Sequence, residues 1–332
     1  MSVLFYNREI LKKYTRWRWG EEKFGEIAGV VESLEALKES DARYVIVGIP
    51  EDIGVRANLG KPGAAKAWKE CLTALCNMQS NEYTRAKNVV ILGEVDCTTE
   101  LQDARTLTED DPFYPTKIGS LVKAIDNKVT EVVSAIVKLS KIPIIIGGGH
   151  NNSYGNLKGT SHAFNGPVNC INMDAHTDFR SLEHRHSGNG FSYAMEEGFL
   201  SIYYIFGIHR NYTSHAIFER MKEQKGKVHY TFFEDLSVSE ENFNKALKEA
   251  KKQCCNEVFG LELDLDAIVG MGSSAMTPSG FTLEEARHFV RFFGAHKNCA
   301  YVHLCEGAPE FELHAGQVGK ALAYLISDIV AQ

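Results

Sequence analysis

Three short runs of this 332-residue chain combine imidazole and carboxylate groups at spacings that can hold metal ions. The first, IPIIIGGGHNNSYG, ends an apolar stretch in Gly147, Gly148, Gly149 and His150. The second, INMDAHTDFR, carries Asp174, His176 and Asp178. The third, LELDLDAI, carries Asp264 and Asp266, with Glu262 just ahead of them. In an extended backbone, residues i, i+2 and i+4 project to one side. Asp174, His176 and Asp178 can therefore converge on one point, and so can Asp264 and Asp266. Taken singly, a Gly-Gly-Gly-His run reads as a turn and an Asp-x-Asp pair as salt-bridge partners. Together they place four carboxylates and two imidazoles at the ends of apolar strands, a costly arrangement unless cations pair with them. Oxygen-rich ligation with two histidines and no thiolate suits Mn2+ best, with Zn2+, Fe2+ and Co2+ also compatible. Six side chains exceed one ion's usual share, and carboxylates can bridge, so the pattern predicts two ions sharing a water or hydroxide.

The elements that must carry these residues are legible as an alternation. Short β-branched runs fall at 43–50, 88–95, 142–148, 168–174, 201–208, 228–234, 258–266 and 300–307. Several are almost continuously apolar, the sign of strands covered on both faces in a parallel sheet. Amphipathic helical patterns lie between them, most clearly at 118–139, 240–252, 283–293 and 318–330. The expected fold is α/β, a three-layer α/β/α sandwich on an eight-stranded, mostly parallel sheet. Strand carboxyl ends form the ligand crevice of such a sheet, which is where all three runs fall. No linker or internal repeat divides the chain, so 1–332 is expected to be a single domain, with 1–40 an extra helical segment outside the sheet. The loops at 51–62, 97–116 and 267–281 are long for such connections and are candidates for function.

Composition excludes other classes. Apolar residues make up 44% and charged residues 24%, as in an ordinary globular protein, and the net charge is −7. No basic block suggests nucleic acid, and no apolar run approaches a membrane span. The first residues scatter their charges and lack the apolar core of a leader. The eight cysteines fit no zinc spacing and read as structural thiols in a reducing cytoplasm.

From about residue 43 to 330, the order Gly-Gly-x-His, Asp-Ala-His-Thr-Asp and an Asp-x-Asp strand resembles the arginase–agmatinase–formimidoylglutamase (ureohydrolase) family. The resemblance implies an arginase-like fold and a binuclear manganese centre with His150, Asp174, His176, Asp178, Asp264 and Asp266 as ligands. The family's Ser-x-Asp-x-Asp-x-x-Asp-Pro is altered here, with Glu262 at the Ser and Val269-Gly270 at the final Asp-Pro. Two registers follow: Asp264/Asp266 as ligands, which keeps both aspartates, or Glu262/Asp264.

The resemblance also implies hydrolysis of an amidine C–N bond by a metal-bridging hydroxide, with Asp178 as proton shuttle. GFTLEEARHF is similar to the family segment that sets a Glu against the substrate's cationic nitrogen, here Glu285. The alternative for Glu285 is a capping box with Thr282. Three features favour formimidoylglutamase. Arg180 stands where arginases have Asn, Phe191 where they have His, and GVRANLGKPGAA resembles the formimidoylglutamase stretch containing Arg56. Arg180 and Arg56 would pair with the carboxylates of N-formimidoyl-L-glutamate, and Ser187 and Asn189 belong to a similar substrate loop. The expected partner is thus a small amidine, and the family often forms homo-oligomers. Other readings are another ureohydrolase (agmatinase, arginase or a guanidino-acid hydrolase) or a non-catalytic relative.

Overall fold

The computed structural model describes residues 2–331. Runs such as Tyr44–Gly48 and Phe259–Asp264 are buried at every position, which fits strands with helices on both faces. Nine strands form one sheet: β1 (Val3–Phe5), β2 (Tyr44–Gly48), β3 (Val89–Val95), β4 (Ile142–Ile146), β5 (Val168–Met173), β6 (Leu200–Ile208), β7 (Val228–Phe232), β8 (Phe259–Asp264) and β9 (Cys299–Cys305). Their order is β1-β3-β2-β4-β9-β8-β5-β6-β7. The eight strands expected from the sequence all pair in parallel.

The ninth strand corrects the expectation of an eight-stranded sheet with a purely helical N-terminal segment. β1 pairs antiparallel with β3, Val3 opposite Val95, and covers that edge. Three residues are too few to show a period. Beyond it come three short helices, Arg8–Tyr14, Phe24–Ile27 and Leu34–Lys38.

Two apolar layers fill the space above and below the sheet. On one face lie the helices Ala67–Leu75, Glu240–Cys254, Leu283–Gly294 and Gln317–Val330. On the other lie Tyr114–Lys138, Asn152–Phe164 and Gly190–Glu196. Helix Asn152–Phe164, which starts just after His150, is polar in sequence yet mostly buried. Gly155 and Gly159 let its backbone approach Tyr114–Lys138. A Cβ at Gly155 would lie 2.8 Å from Val129 Cβ, and one at Gly159 would lie 2.7 Å from the Thr130 carbonyl. That contact fixes the helix that carries the His150 turn.

Overpacking of this kind costs about 1–3 kcal/mol. Gly159→Ala is therefore expected to lower stability by that amount, read as an earlier midpoint in urea. An unchanged midpoint would show that the two helices are free to part.

Candidate metal centre

Four adjacent strands of the sheet, β4, β9, β8 and β5, bring the three motifs together at their carboxyl ends. After β4 the chain turns through Gly147 and Gly148, both left-handed at φ +84° and +74°. The turn wraps around Glu51, which is fully buried. Its carboxylate accepts from the Asn152 side chain (2.6 Å), the Ile53 N–H (2.8 Å), the Asn151 side chain (3.1 Å) and the Gly149 N–H (3.3 Å). Burial raises its pKa, against the hydrogen bonds that oppose the rise.

His150 is fully buried and is the hub of the site. Its Nδ1 lies 2.8 Å from Asp178 Oδ2, 3.1 Å from Asp264 Oδ2 and 3.2 Å from Asp174 Oδ2. The ligand atoms of these four residues all lie within 4.8 Å of one another. Asp174 and Asp264 are aimed alike. Each uses Oδ1 to accept the backbone N–H two residues on, from His176 and Asp266 respectively, both at 2.7 Å. That leaves each Oδ2 facing His150. A second, looser position lies beside it, where His176 Nδ1 is 3.6 Å from Asp174 Oδ1 and 3.9 Å from Asp266 Oδ2. Asp174 thus faces both positions. The His176 ring stacks on Tyr212 at 5.1 Å.

Of the two registers for the third motif, the geometry brings Asp264 and Asp266 into this cluster. Glu262 lies on the opposite side of the His150 ring, 3.5 Å from Nε2.

The acids strain against one another. Burial first, then Asp174, raises the Asp178 carboxyl above its ordinary range. Asp264 is raised by burial and by Asp266 and Asp174. Asp174 is drawn down: burial opposes this, but its hydrogen bonds to His150 and His176 outweigh it. Such a set of donors suits one or two divalent cations.

The cluster opens into a cleft of about 260 Å³, lined by Asn58, His176, Asp178, Arg180, Ser187, Tyr212, Asp266, Ser274 and Glu306 among others. Arg180 donates to Asn58 Oδ1 at 2.5 Å and to Glu183 at 2.9 Å, and Asn58 in turn donates to Ser187 Oγ at 3.2 Å. Of the expected substrate contacts, Arg180 and Ser187 line this cleft.

Three expected contacts lie elsewhere. Arg56 turns away and donates to the Ala104 carbonyl at 2.9 Å. Asn189 is buried behind the loop, accepting from Arg185 (2.5 Å) and from the His186 N–H (3.1 Å). Glu285 forms the capping box of Leu283–Gly294, with Thr282 N–H donating to it at 2.8 Å. None of the three lines the cleft. The reason is common to them: each side chain has a nearer backbone or charged partner.

Sequence reasoning passed over other residues that the fold uses. Glu306, just after β9, lines the cleft together with Asp178, Asp264 and Asp266. It accepts from the Ser274 hydroxyl (2.6 Å) and the His150 N–H (2.7 Å), and burial, then Asp266, pushes it up to about 8. Its signal in the sequence is a strand ending in an acid, AYVHLCEG. Asp178 and Glu306 both hold left-handed backbone, at φ +45° and +60°. Arg185 anchors the loop that carries Arg180. It is buried, pairs with Asp126 at 2.9 Å, donates to the Asn151 carbonyl at 3.0 Å, and lies over the rings of Tyr154 and Tyr193. No local pattern marks it among the polar residues 180–189.

Comparison with known proteins places the chain among related folds. The arginase family model matches residues 42–331. A formimidoylglutamase of Klebsiella pneumoniae is 27% identical over 301 residues, covering 87% of this chain and 86% of that protein. A formimidoylglutamase of Macrococcus caseolyticus is 24% identical over 303 residues, covering 90% and 88%. Among solved structures, formimidoylglutamase from Bacillus subtilis has a TM-score of 0.76 at 17% identity, covering 97% of this chain and 98% of that one. Trypanosoma cruzi formiminoglutamase with Mn2+2 has a TM-score of 0.74 at 20% identity, covering 93% and 97%.

Removing one member of a buried ion pair leaves the other uncompensated, at about 3–5 kcal/mol. Asp126→Ala is thus expected to destabilise the protein by that order in denaturant unfolding. A loss under about 1 kcal/mol, the ceiling for an exposed pair, would show that Arg185 is not held this way.

Proposed function

The chain belongs to the arginase family, and from that premise we propose that it hydrolyses N-formimidoyl-L-glutamate to glutamate and formamide. Two Mn2+ ions would be held by His150, Asp174, His176, Asp178, Asp264 and Asp266. The observation that carries this reading is the set of three aspartates on the buried His150 Nδ1, two of them buried and Asp178 partly open to the cleft, with His176 and Asp266 alongside. These residues fit the metal pair, because buried acids raise one another's proton affinity and, among the described residues, no lysine or arginine forms an ion pair with them. When bound, the pair would supply a nucleophilic water oxygen at neutral pH and polarise the substrate.

The chain's own groups then have separable tasks. Asp178 borders both the cluster and the cleft. In that position it takes a proton from the attacking water and returns it to the leaving amine. Water adds to the formimino carbon, the bond from that carbon to the glutamate nitrogen breaks, and formamide and the amine leave. Glu306, which lines the cleft where Glu285 does not, would hydrogen-bond the amidine nitrogen. Arg180 stands toward the mouth with its side chain 47% exposed, where it can pair with a substrate carboxylate, assisted by Asn58 and Ser187. The names of the bacterial relatives support the same substrate. Eight free, buried cysteines fit a cytoplasmic setting. Among the described residues, no helix is long and apolar enough to cross a membrane.

Elemental analysis after dialysis against Mn2+ should give two ions per chain. Asp264→Ala and Asp266→Ala should each lower that ratio, and a ratio near zero for the unmodified protein would sink the proposal.

A charge-assisted contact is worth roughly 1.5–3 kcal/mol, about ten- to a hundred-fold in rate or binding. Arg180→Ala should lower kcat/KM for N-formimidoyl-L-glutamate by that factor with both ions retained, and Arg180→Lys should recover only part. Faster turnover of agmatine, a cation with no carboxylate, would instead assign another family activity.

A further inference from the structure

Beside the candidate metal ligands lies a further set of buried polar groups, among them Glu262, the ligand of the alternative register. In register across three strands, Asn172 of β5 sits beside Glu262 of β8, which sits beside His303 of β9. All three are fully buried. One Glu262 oxygen accepts from the Tyr301 hydroxyl at 2.8 Å, and the other meets His303 Nδ1 at 2.5 Å. His303 Nε2 faces the Gly147 carbonyl at 3.3 Å, so both its nitrogens point at acceptors. Two buried atoms of this set, Asn172 Oδ1 and His150 Nε2, have no hydrogen-bond partner among the described residues. His150 Nε2 lies 3.5 Å from the Glu262 oxygen that meets His303.

We infer that Glu262 is a positioning residue for His150: its carboxylate accepts the Nε2–H, which leaves the Nδ1 lone pair facing Asp174, Asp178 and Asp264. Two lone pairs facing each other would repel, so a carboxylate at Nε2 selects the tautomer that carries hydrogen there. A histidine that gives its second N–H to a carboxylate is a better and better-aimed ligand. His303 and Tyr301 hold Glu262 in turn, which explains how an acid survives here without solvent. His150, Glu262, His303 and Cys305 could also be read as a cation site of their own. The 2.5 Å contact between Glu262 and His303 leaves no room for an ion between them, and Cys305 Sγ is turned to the Leu263 carbonyl at 3.7 Å.

The inference rests on the proposed metal pair, and its test reads metal rather than turnover. Mn2+-loaded protein is titrated with a chelator while the paramagnetic resonance spectrum is followed. Glu262→Leu should release one of the two ions at about ten- to a hundred-fold lower chelator concentration. The spectrum should then pass from a coupled pair to an isolated ion at the His176 position. Glu262→Gln, which keeps the shape and an acceptor oxygen, should fall between the two and decides the question if the leucine variant does not fold. Both ions held by Glu262→Gln as tightly as by the unmodified protein would overturn the inference while leaving the proposed function intact. So would both ions weakening equally, or three ions on the unmodified protein. No Mn2+ on the unmodified protein would remove the proposed function, and this inference with it.

Discussion

The site is governed by one constraint: acidic side chains converge where water is excluded, at the ends of four neighbouring strands. Asp174, Asp264, Asp266 and Glu306 are all buried, and the fully buried imidazole of His150 is shared by three aspartates. An isolated ionised carboxylate in such surroundings is prohibitively unfavourable. Everything adjacent answers to that cost. The Gly-Gly-Gly turn folds around Glu51, Asp174 and Asp264 each engage a backbone N–H, and Glu306 is held by a hydroxyl and an amide.

This arrangement divides the carboxylates between two duties. One oxygen of Asp174 and one of Asp264 belong to the backbone, which fixes the rotamer, and the other is left to face the cluster. A hydrogen bond to a charged group contributes roughly 1.5–3 kcal/mol, enough to select one rotamer over its alternatives. The substrate side is organised differently. The loop carrying Arg180 is fastened from beneath by Arg185, through Asp126, Asn151 and Asn189, while its outer face keeps an exposed guanidinium. Rigidity therefore comes from the buried arginine and charge at the mouth from the exposed one.

The sequence disclosed what periodicity and spacing encode. Most of the eight parallel strands were legible because burial on both faces makes them nearly unbroken apolar runs, whereas the edge strand β7 is only half-buried. That the acids and histidines gather was legible because all three motifs fall at strand carboxyl ends. His176, Asp178 and Asp266, however, lie in turns beyond β5 and β8, with Asp178 left-handed, so turns rather than strand alternation bring them in. Elements that obey other rules were hidden. β1 is too short to show a period, and helix Asn152–Phe164 is packed through glycines rather than an apolar stripe. Arg56, Asn189 and Glu285 have types suited to binding a substrate, but competing partners decide their orientation. Glu306 and Arg185 acquire their roles from strand order and from distant residues such as Asp126 and Ser274. No local pattern contains that information.

The left-handed backbone at Asp178 and Glu306 has a consequence for how the protein can evolve. Neither residue is glycine, and such conformations cost of order 1–3 kcal/mol each. Natural domains have only about 5–15 kcal/mol in all. Two positions lining the cleft thus draw on the margin that absorbs damaging change elsewhere. Glycine would relieve the backbone at either position and remove the carboxylate with it, so relief and function are mutually exclusive there. Leu59, Arg85, Ser140 and Asn165 hold the same kind of backbone away from the cleft, but only at Asp178 and Glu306 does a cleft carboxylate stand in the way of its relief.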